Sequence, residues 1–240
     1  MLPFGGRKAR FLFDGQPAFA SLPVHHAITM VEWGLNWAIA AHVHHFLVCH
    51  AAVLERGGRA LLLPAPPGSG KSTLCAALAH RGWRLLSDEL ALVDPVSGLV
   101  RGMARPVNLK NASIRLVSDF VPEVVMTAPV ADTTKGTVAL MKPPEEAVRR
   151  RDEPAIPAWV VLPRWQAGSE ACFQRIDRAE AVILLGEQSF NYHVLGAAGF
   201  ETLVSLVDRC RCLRFTYGSL DQLVPAFDAL VTDCVPESEA

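Results

Sequence analysis

Short apolar runs separated by turns recur along the chain and predict a fold rich in strands. Residues 46–55 alternate in polarity, the turn 56–58 contains two glycines, and residues 60–63 form a second apolar run. Two such runs joined by a short Gly-containing turn predict a β-hairpin. Similar runs predict further strands at 83–86, 90–93, 99–107, 137–141, 158–162, 171–176 and 211–217.

Helical periodicity fills the intervals between these runs. Residues 27–44 place Trp33, Trp37 and Ala41 on one stripe, which predicts a helix whose tryptophans serve core packing or a subunit contact. Residues 121–136 lack a clear period and predict a mobile loop. Strands that alternate with helices indicate an α/β fold. We predict an N-terminal extension over 1–45, packed on a main domain over 46–240. Shorter helices are predicted at 73–80, 112–120, 178–186, 192–195, 200–210 and 220–231.

Composition argues against two classes of partner, nucleic acids and membranes. The chain has 240 residues, half of them hydrophobic, and 23 Lys and Arg against 24 Asp and Glu. Without a basic surplus we expect no nucleic-acid partner, because phosphate neutralisation dominates that affinity. The apolar stretch 28–54 contains Glu32, Asn36 and four histidines, which a bilayer core would not accept cheaply. We therefore expect no membrane partner either.

The cysteines and histidines do not predict a metal site. The six cysteines form no CxxC pair, so reduced thiols in a cytoplasmic protein without a signal peptide are the simplest interpretation. His42, His44 and His45 lie close together, but no Cys or acidic residue follows at a usual ligand spacing. We interpret these histidines as structural or exposed to solvent.

The segment APPGSGKST at 65–73 is the most informative motif. It joins the apolar run 60–63 to the predicted helix 73–80, the context in which loop N–H groups and a helix N-terminus converge on a phosphate. The pattern G-x-x-x-x-G-K-[ST] has Ala65 at its first glycine, while Gly68 and Gly70 still permit the tight loop. We predict that ATP binds to Pro67, Gly68, Ser69, Gly70, Lys71, Ser72 and Thr73.

Two adjacent acids follow the strand predicted at 83–86. In P-loop proteins a neighbouring strand supplies an acid that holds Mg²⁺, and a kinase needs a second carboxylate to accept the proton of the attacking hydroxyl. We predict Mg²⁺ at Ser72, Glu89 and Asp88, with Asp88 also the base. Basic residues that would contact phosphate or substrate are Arg105, Lys110 and Lys135.

The segment HAAVLERGGRALLLPAPPGSGKSTLCAALAHRGWRLLSDELALVD resembles the catalytic core of the HPr serine kinase/phosphorylase family. The matching positions are His50, Lys71, Ser72, Gly82, Leu85, Asp88 and Glu89. The segments EWGLNW, RPVNLKNASI, TTKGTVA, VVLPRW and SFNYHVLGAAGF are similar to the related group called HprK-related kinase A, so the resemblance covers nearly the whole chain. Glu89 replaces the family's second Asp, and the family's separate N-terminal domain and C-terminal signature are not recognisable.

The resemblance implies a P-loop kinase fold with a mixed central sheet, like the HPr kinase C-terminal domain and phosphoenolpyruvate carboxykinase. It implies Asp88 as the general base, His50 at the phosphate site and Lys71 on the β/γ-phosphates. The implied reaction is ATP- and Mg²⁺-dependent phosphorylation of a Ser or Thr hydroxyl on a peptide or small protein, with a PqqD-like peptide chaperone as partner. A homo-oligomer is also compatible, since HPr kinases are hexamers.

Three other functions are compatible with the same residues. A small-molecule kinase would use the same chemistry on a metabolite. An ATPase or GTPase switch would hydrolyse the nucleotide without an acceptor, with residues 121–136 as its switch. A nucleotide-binding scaffold of a peptide-modification system would bind without turnover, which Ala65 and Glu89 make plausible.

Overall fold

A mixed α/β architecture is present in the structure, a computed structural model that describes residues 6–66 and 68–232. The strands are β1 Lys8–Ala9, β2 Leu12–Phe13, β3 Gln16–Pro17, β4 Leu22–Pro23, β5 Leu47–Arg56, β6 Arg59–Pro64, β7 Arg84–Ser87, β8 Leu90–Val93, β9 Val100–Arg101, β10 Val107–Lys110, β11 Val130–Thr133, β12 Gly136–Met141, β13 Ile156–Trp165, β14 Cys172–Arg175 and β15 Arg211–Tyr217. The α-helices are α1 Ala27–His42, α2 Lys71–Ala79, α3 Ala112–Phe120, α4 Glu145–Arg149, α5 Arg178–Glu187, α6 Tyr192–Leu195, α7 Ala197–Arg209 and α8 Leu223–Thr232. Short 3₁₀ turns occupy Val24–His26 and Leu220–Gln222.

The central sheet has eight strands in the described part of the chain, in the order β14-β15-β13-β6-β5-β8-β9, with β7 also paired to β5. Strands β6, β13 and β15 are parallel, while β5 is antiparallel to β6 in the predicted hairpin. The mixed central sheet is therefore confirmed. Its parallel strands end at the edge where the 65–73 loop begins, the edge at which ligands commonly bind in α/β sheets.

Alternation along β6 divides the core between the two faces of the sheet. Leu61 and Leu63 pack with residues of α2 and α8 on one face, while Leu62 packs with residues of α5 and α7 on the other. Because both faces of this strand are covered, its sequence is a continuous apolar run rather than an alternating one.

Strands β7 and β8 pair successive parts of β5. The pairs are Val53 with Ser87 and His50 with Leu90, so Asp88 and Glu89 occupy the two positions between the strands. The sheet therefore holds both acids in the middle of the molecule, one strand away from the strand that leads into the 65–73 loop.

A second, three-stranded sheet has the order β10-β12-β11 and corrects two sequence predictions. Residues 121–136, predicted as a mobile loop, contribute β11, and the Thr127 N–H bonds to the Leu140 carbonyl at 3.0 Å. The single strand predicted at 99–107 is interrupted between β9 and β10, where Pro106 has no N–H for a ladder. The alternating stretch Val107–Lys110 belongs to the second sheet.

The N-terminal residues pack around α1. Gly34 on α1 admits the Phe11 ring, which lies where a Cβ would stand, and the Trp37 ring contacts Phe13 and Phe19 edge-on. Trp37 therefore contacts the N-terminal segment on one side and remains 37% exposed. The division of the chain at residue 45 stays a prediction.

Within residues 6–66 and 68–232 no helix combines the length and apolar character needed to cross a bilayer. The cysteines in those ranges are free thiols.

Candidate functional site

The loop between β6 and α2 has the backbone that its glycines predict. Gly68 and Gly70 have φ of +88° and +89°. This left-handed conformation is disfavoured for residues that carry a Cβ, so glycine suits both positions. At Gly70 a Cβ would also stand 2.7 Å from the Tyr217 hydroxyl. The helix begins at Lys71, so its first N–H groups open toward the loop. Pro67, predicted to bind ATP, lies outside the described residues.

A cleft of about 510 Å³ opens in front of this loop. Its walls come from the loop and first turn of α2, the end of β10, the start of α3 and the turn between β11 and β12. It brings together most of the residues predicted from the sequence: His50, Gly68, Ser69, Gly70, Lys71, Ser72, Thr73, Glu89, Lys110 and Lys135.

Lys71, His50 and Glu89 form a compact triad on the cleft wall. The Lys71 Nζ lies 2.7 Å from His50 Nε2, which in turn lies 3.0 Å from Glu89 Oε2. One ring nitrogen cannot accept from Lys71 and donate to Glu89 at the same time. Only one of the two contacts is therefore a hydrogen bond at a time, and a phosphate that attracted Lys71 would leave the His50–Glu89 pair behind.

Positive charge surrounds Glu89. Burial opposes its ionisation, but the hydrogen bond from His50 and the charges of Lys71 and Lys110 lower the pKa of Glu89 to about 2. Lys110 Nζ lies 3.6 Å from Glu89 Oε1. Burial lowers the pKa of Lys71 although Glu89 and Asp88 act in the opposite direction. Glu89 is therefore an anion within a cationic cleft.

Asp88 lies behind this wall and is only 4% exposed. Its Oδ2 accepts the Asn108 backbone N–H at 3.0 Å, whereas its Oδ1 has no hydrogen-bond partner among the described residues. Burial and the neighbouring Glu89 charge raise the pKa of Asp88 to about 6, against the opposing effects of the Lys71 charge, the Asn108 N–H and the Ser72 hydroxyl. Two adjacent carboxyl groups thus have pKa values shifted in opposite directions, the pattern by which enzymes separate a base from a charge-stabilising acid.

Asn108 is a site residue that the sequence analysis missed. Val107 and Leu109 on β10 are fully buried in the core, and the alternation of a strand directs Asn108 and Lys110 to the opposite face, toward the cleft. The signal in the sequence was an alternating Val-Asn-Leu-Lys. The predicted strand 99–107 ends before Asn108, and of this stretch only Lys110 was predicted as a contact to phosphate or substrate.

The three predicted phosphate or substrate contacts have different positions. Lys110 and Lys135 line the cleft, and the Lys135 ammonium also lies 4.8 Å from the centre of the Trp33 ring. Arg105 does not line it, because its guanidinium bonds to the Glu32 carboxylate at 2.5 Å and to Asn36 Oδ1 at 3.1 Å on α1. In this structure Arg105 ties the segment before β10 to α1.

The donor set suits Mg²⁺ that arrives with a nucleotide. Among residues 6–66 and 68–232 no group of three or more His, Cys, Asp or Glu side chains is arranged to hold a metal ion. Mg²⁺ commonly takes only one or two carboxylates and completes its shell with water and substrate phosphates. Ser72 and Glu89 face the cleft, and Asp88 Oδ1 is unpaired. These oxygens fit the ion without forming a closed protein site.

Comparisons with known proteins add little to this geometry. No protein-family model matches the chain, and no curated protein sequence matches it. Among solved structures the chain is similar to the HPr(Ser) kinase/phosphatase from Coxiella burnetii, with a TM-score of 0.32 and 11% identity over 78% of this chain and 94% of that chain. A TM-score of this size does not establish a shared fold, so the geometry of the site carries the functional argument.

Proposed function

We propose that this protein is an ATP- and Mg²⁺-dependent kinase that phosphorylates a Ser or Thr hydroxyl on a peptide or small protein. The observation that carries the proposal is the pairing of a strand–loop–helix phosphate cradle with the buried carboxyl of Asp88. A base that works near neutral pH needs a pKa close to that pH, and Asp88 at about 6 meets this requirement.

Lys71 and the N–H groups at the start of α2 would hold the β- and γ-phosphates. Lys110 and Lys135 line the same cleft, and their ammonium groups would offset the negative charge of the triphosphate. Bound Mg²⁺ would neutralise charge on the β- and γ-phosphates, and Ser72 with Glu89 or Asp88 would hold it. His50 would remain on Glu89 once Lys71 moves to the phosphate.

The transfer itself needs one proton acceptor and an in-line approach. The oxygen of the acceptor hydroxyl forms a bond to the γ-phosphorus, the bond from that phosphorus to the β–γ bridging oxygen breaks, and ADP leaves. The hydroxyl proton passes to Asp88. The Asn108 N–H fixes Oδ2 and leaves Oδ1 as the oxygen able to take that proton.

The class of acceptor comes from the motif resemblance alone. A peptide or small-protein acceptor, a PqqD-like partner, a homo-oligomer and a cytoplasmic location all stay predictions of the sequence. The cleft geometry serves a kinase for a small molecule equally well, which the first experiment must therefore distinguish.

The test is transfer of γ-³²P from Mg·ATP to a library of Ser- and Thr-containing peptides, with and without a PqqD-like protein. We expect label on a peptide or protein hydroxyl. Asp88→Asn should lower the transfer rate about 10²–10⁴-fold, the usual contribution of a general base, while ATP binding measured by calorimetry persists. Asn is the matched substitution because it keeps the size of the side chain and an oxygen for the Asn108 N–H.

Each other outcome assigns another function. Label only in free inorganic phosphate would indicate an ATPase, and ATP binding without turnover would indicate a scaffold. Transfer to a metabolite but to no peptide would indicate a small-molecule kinase. Near-normal transfer by Asp88→Asn would show that Asp88 is not the base.

A further inference from the structure

The side chain of Asn108 is buried without any hydrogen-bond partner. The residue is 3% exposed, and neither Nδ2 nor Oδ1 is paired with any other described residue. Its backbone N–H, in contrast, donates to Asp88 Oδ2. The two unpaired side-chain atoms belong to the carboxamide of a residue that lines the cleft.

An unpaired buried amide needs a physical explanation. Leaving a buried polar group without a partner costs about 1–3 kcal/mol, whereas an apolar side chain of the same shape would avoid this cost. Buried polar groups in folded proteins are nearly always bonded to protein, water or ligand. A ligand that fills the cleft would supply the partner that the protein itself does not.

The surroundings of Asn108 indicate which part of a ligand this is. The cleft also presents Lys71, Lys110 and Lys135, which favour an anionic ligand, and the Asn108 N–H holds the carboxyl that would act as base. The end of the cleft beside Asp88 is where the transferable phosphoryl group must lie. A neutral amide can donate to that group without repelling it as a carboxylate would.

We propose that the Asn108 carboxamide binds the terminal phosphoryl group of a nucleoside triphosphate, with Nδ2 donating to a γ-phosphoryl oxygen, and thereby distinguishes a triphosphate from a diphosphate. The inference rests on the proposed function, because it assumes a nucleotide in this cleft. It adds a contact that recognises the γ-phosphoryl group in particular.

Calorimetry with two nucleotides tests the contact without any acceptor. The probes are Mg·AMP-PNP, which carries a terminal phosphoryl group, and Mg·ADP, which lacks it. A hydrogen bond to a charged group contributes about 1.5–3 kcal/mol, so Asn108→Leu should weaken AMP-PNP binding about 10- to 100-fold and change the ADP affinity less than threefold. Thermal unfolding without nucleotide should show a melting temperature equal to or above that of the wild type.

Two further variants complete the design. Thr202→Val removes a buried hydroxyl on α7, which packs on the other face of the sheet, and should leave both affinities unchanged. Asn108→Asp nearly preserves the shape but replaces the donor with an anion, and should weaken AMP-PNP more than ADP. If Asn108→Leu does not fold, the Asn108→Asp variant tests the inference in its place.

Equal losses for both nucleotides, or no loss for AMP-PNP, in a folded Asn108 variant would overturn the inference and leave the proposed function intact. A wild-type protein that binds neither nucleotide would overturn both.

Discussion

Two clusters of buried polar side chains lie at the two ends of β7, and they differ in how completely they are paired. At the start of the strand, Arg84 and Glu55 form an ion pair in which both side chains are about 3% exposed. Just beyond its end lie Asp88 and, across the cleft wall, Asn108, also nearly buried. Strand β7 thus connects a cluster whose polar groups are paired within the protein to a cluster that contains unpaired polar groups.

The Arg84 cluster satisfies its members within the protein. The Arg84 guanidinium donates to Glu55 at 2.5 Å and to the carbonyls of Arg150 and Glu153 at 2.7–3.2 Å. The other Glu55 oxygen accepts the Gly58 N–H at 2.6 Å. Burial opposes the ionised form, but Arg84 and the Gly58 N–H hold the pKa of Glu55 below its usual value.

The Asp88 cluster leaves three atoms unpaired among the described residues: Asp88 Oδ1, Asn108 Nδ2 and Asn108 Oδ1. Burial and the Glu89 charge raise the pKa of Asp88 instead of lowering it. Burial alone therefore does not identify a functional group. The unpaired atoms, together with the position of Asn108 on the wall of the cleft, distinguish this cluster from the Arg84 cluster.

Arg84→Met should have the largest effect on stability. Removing one partner of a buried ion pair typically costs about 3–5 kcal/mol. Glu55 would keep only the Gly58 N–H and the more distant Arg150, at 3.7 Å, as partners for its charge. Urea unfolding should show a loss of that size. Adding Glu55→Gln removes the carboxylate charge and should recover part of it. A loss below about 1 kcal/mol for the single variant would mean that the Arg84 cluster contributes little to the fold.

Asp88→Asn should stabilise the free protein in a pH-dependent way. A carboxyl whose pKa rises from 3.8 to about 6 on folding destabilises the folded state progressively as pH rises from about 4 to 6, and the penalty is complete at pH 7. The shift corresponds to about 2–3 kcal/mol. Asp88→Asn should therefore equal the wild type near pH 4 and exceed it by that amount at pH 7.

Urea unfolding at both pH values measures this difference. The lowered pKa of Glu89 acts with the opposite sign, because its stabilisation is lost as pH falls through about 2, and both proteins share it. If the difference in unfolding free energy between Asp88→Asn and the wild type did not change with pH, ionisation of Asp88 would not be what destabilises the folded protein at neutral pH.

We expect the smallest effect when the stability of Gly70→Ala is compared with that of Gly68→Ala. This comparison tests the loop beside the Asp88 cluster. Both glycines have positive φ, so each alanine costs about 1–2 kcal/mol of backbone strain. Only at Gly70 does the new methyl meet an atom, the Tyr217 hydroxyl at 2.7 Å. We expect Gly70→Ala to be about 1 kcal/mol less stable than Gly68→Ala in urea unfolding. Equal stabilities would show that the Tyr217 contact adjusts freely.

Much of the fold could be predicted because its elements depend on local pattern. The hairpin of β5 and β6, the helix after the loop and the closing strand and helix follow from apolar runs, glycines and period. Residues 121–136 could not be predicted, because their pairing with β12 depends on a partner strand and leaves little trace in a short, irregular segment. The ion pair between Arg150 and Glu55 could not be predicted for the same reason.

The sequence by itself determined the phosphate-loop motif, because G-S-G-K-S-T between an apolar strand and a helix specifies a backbone shape through local sterics. It also placed Asp88 and Glu89 after the next predicted strand, one helix and one strand beyond Lys71 along the chain. Only the tertiary structure decided which polar groups are satisfied. The pairing of Arg105 with α1, the saturation of Arg84 and the unpaired carboxamide of Asn108 all depend on residues distant in the chain. Hydrogen bonding and desolvation act between groups that folding brings together, so no local pattern could have revealed them.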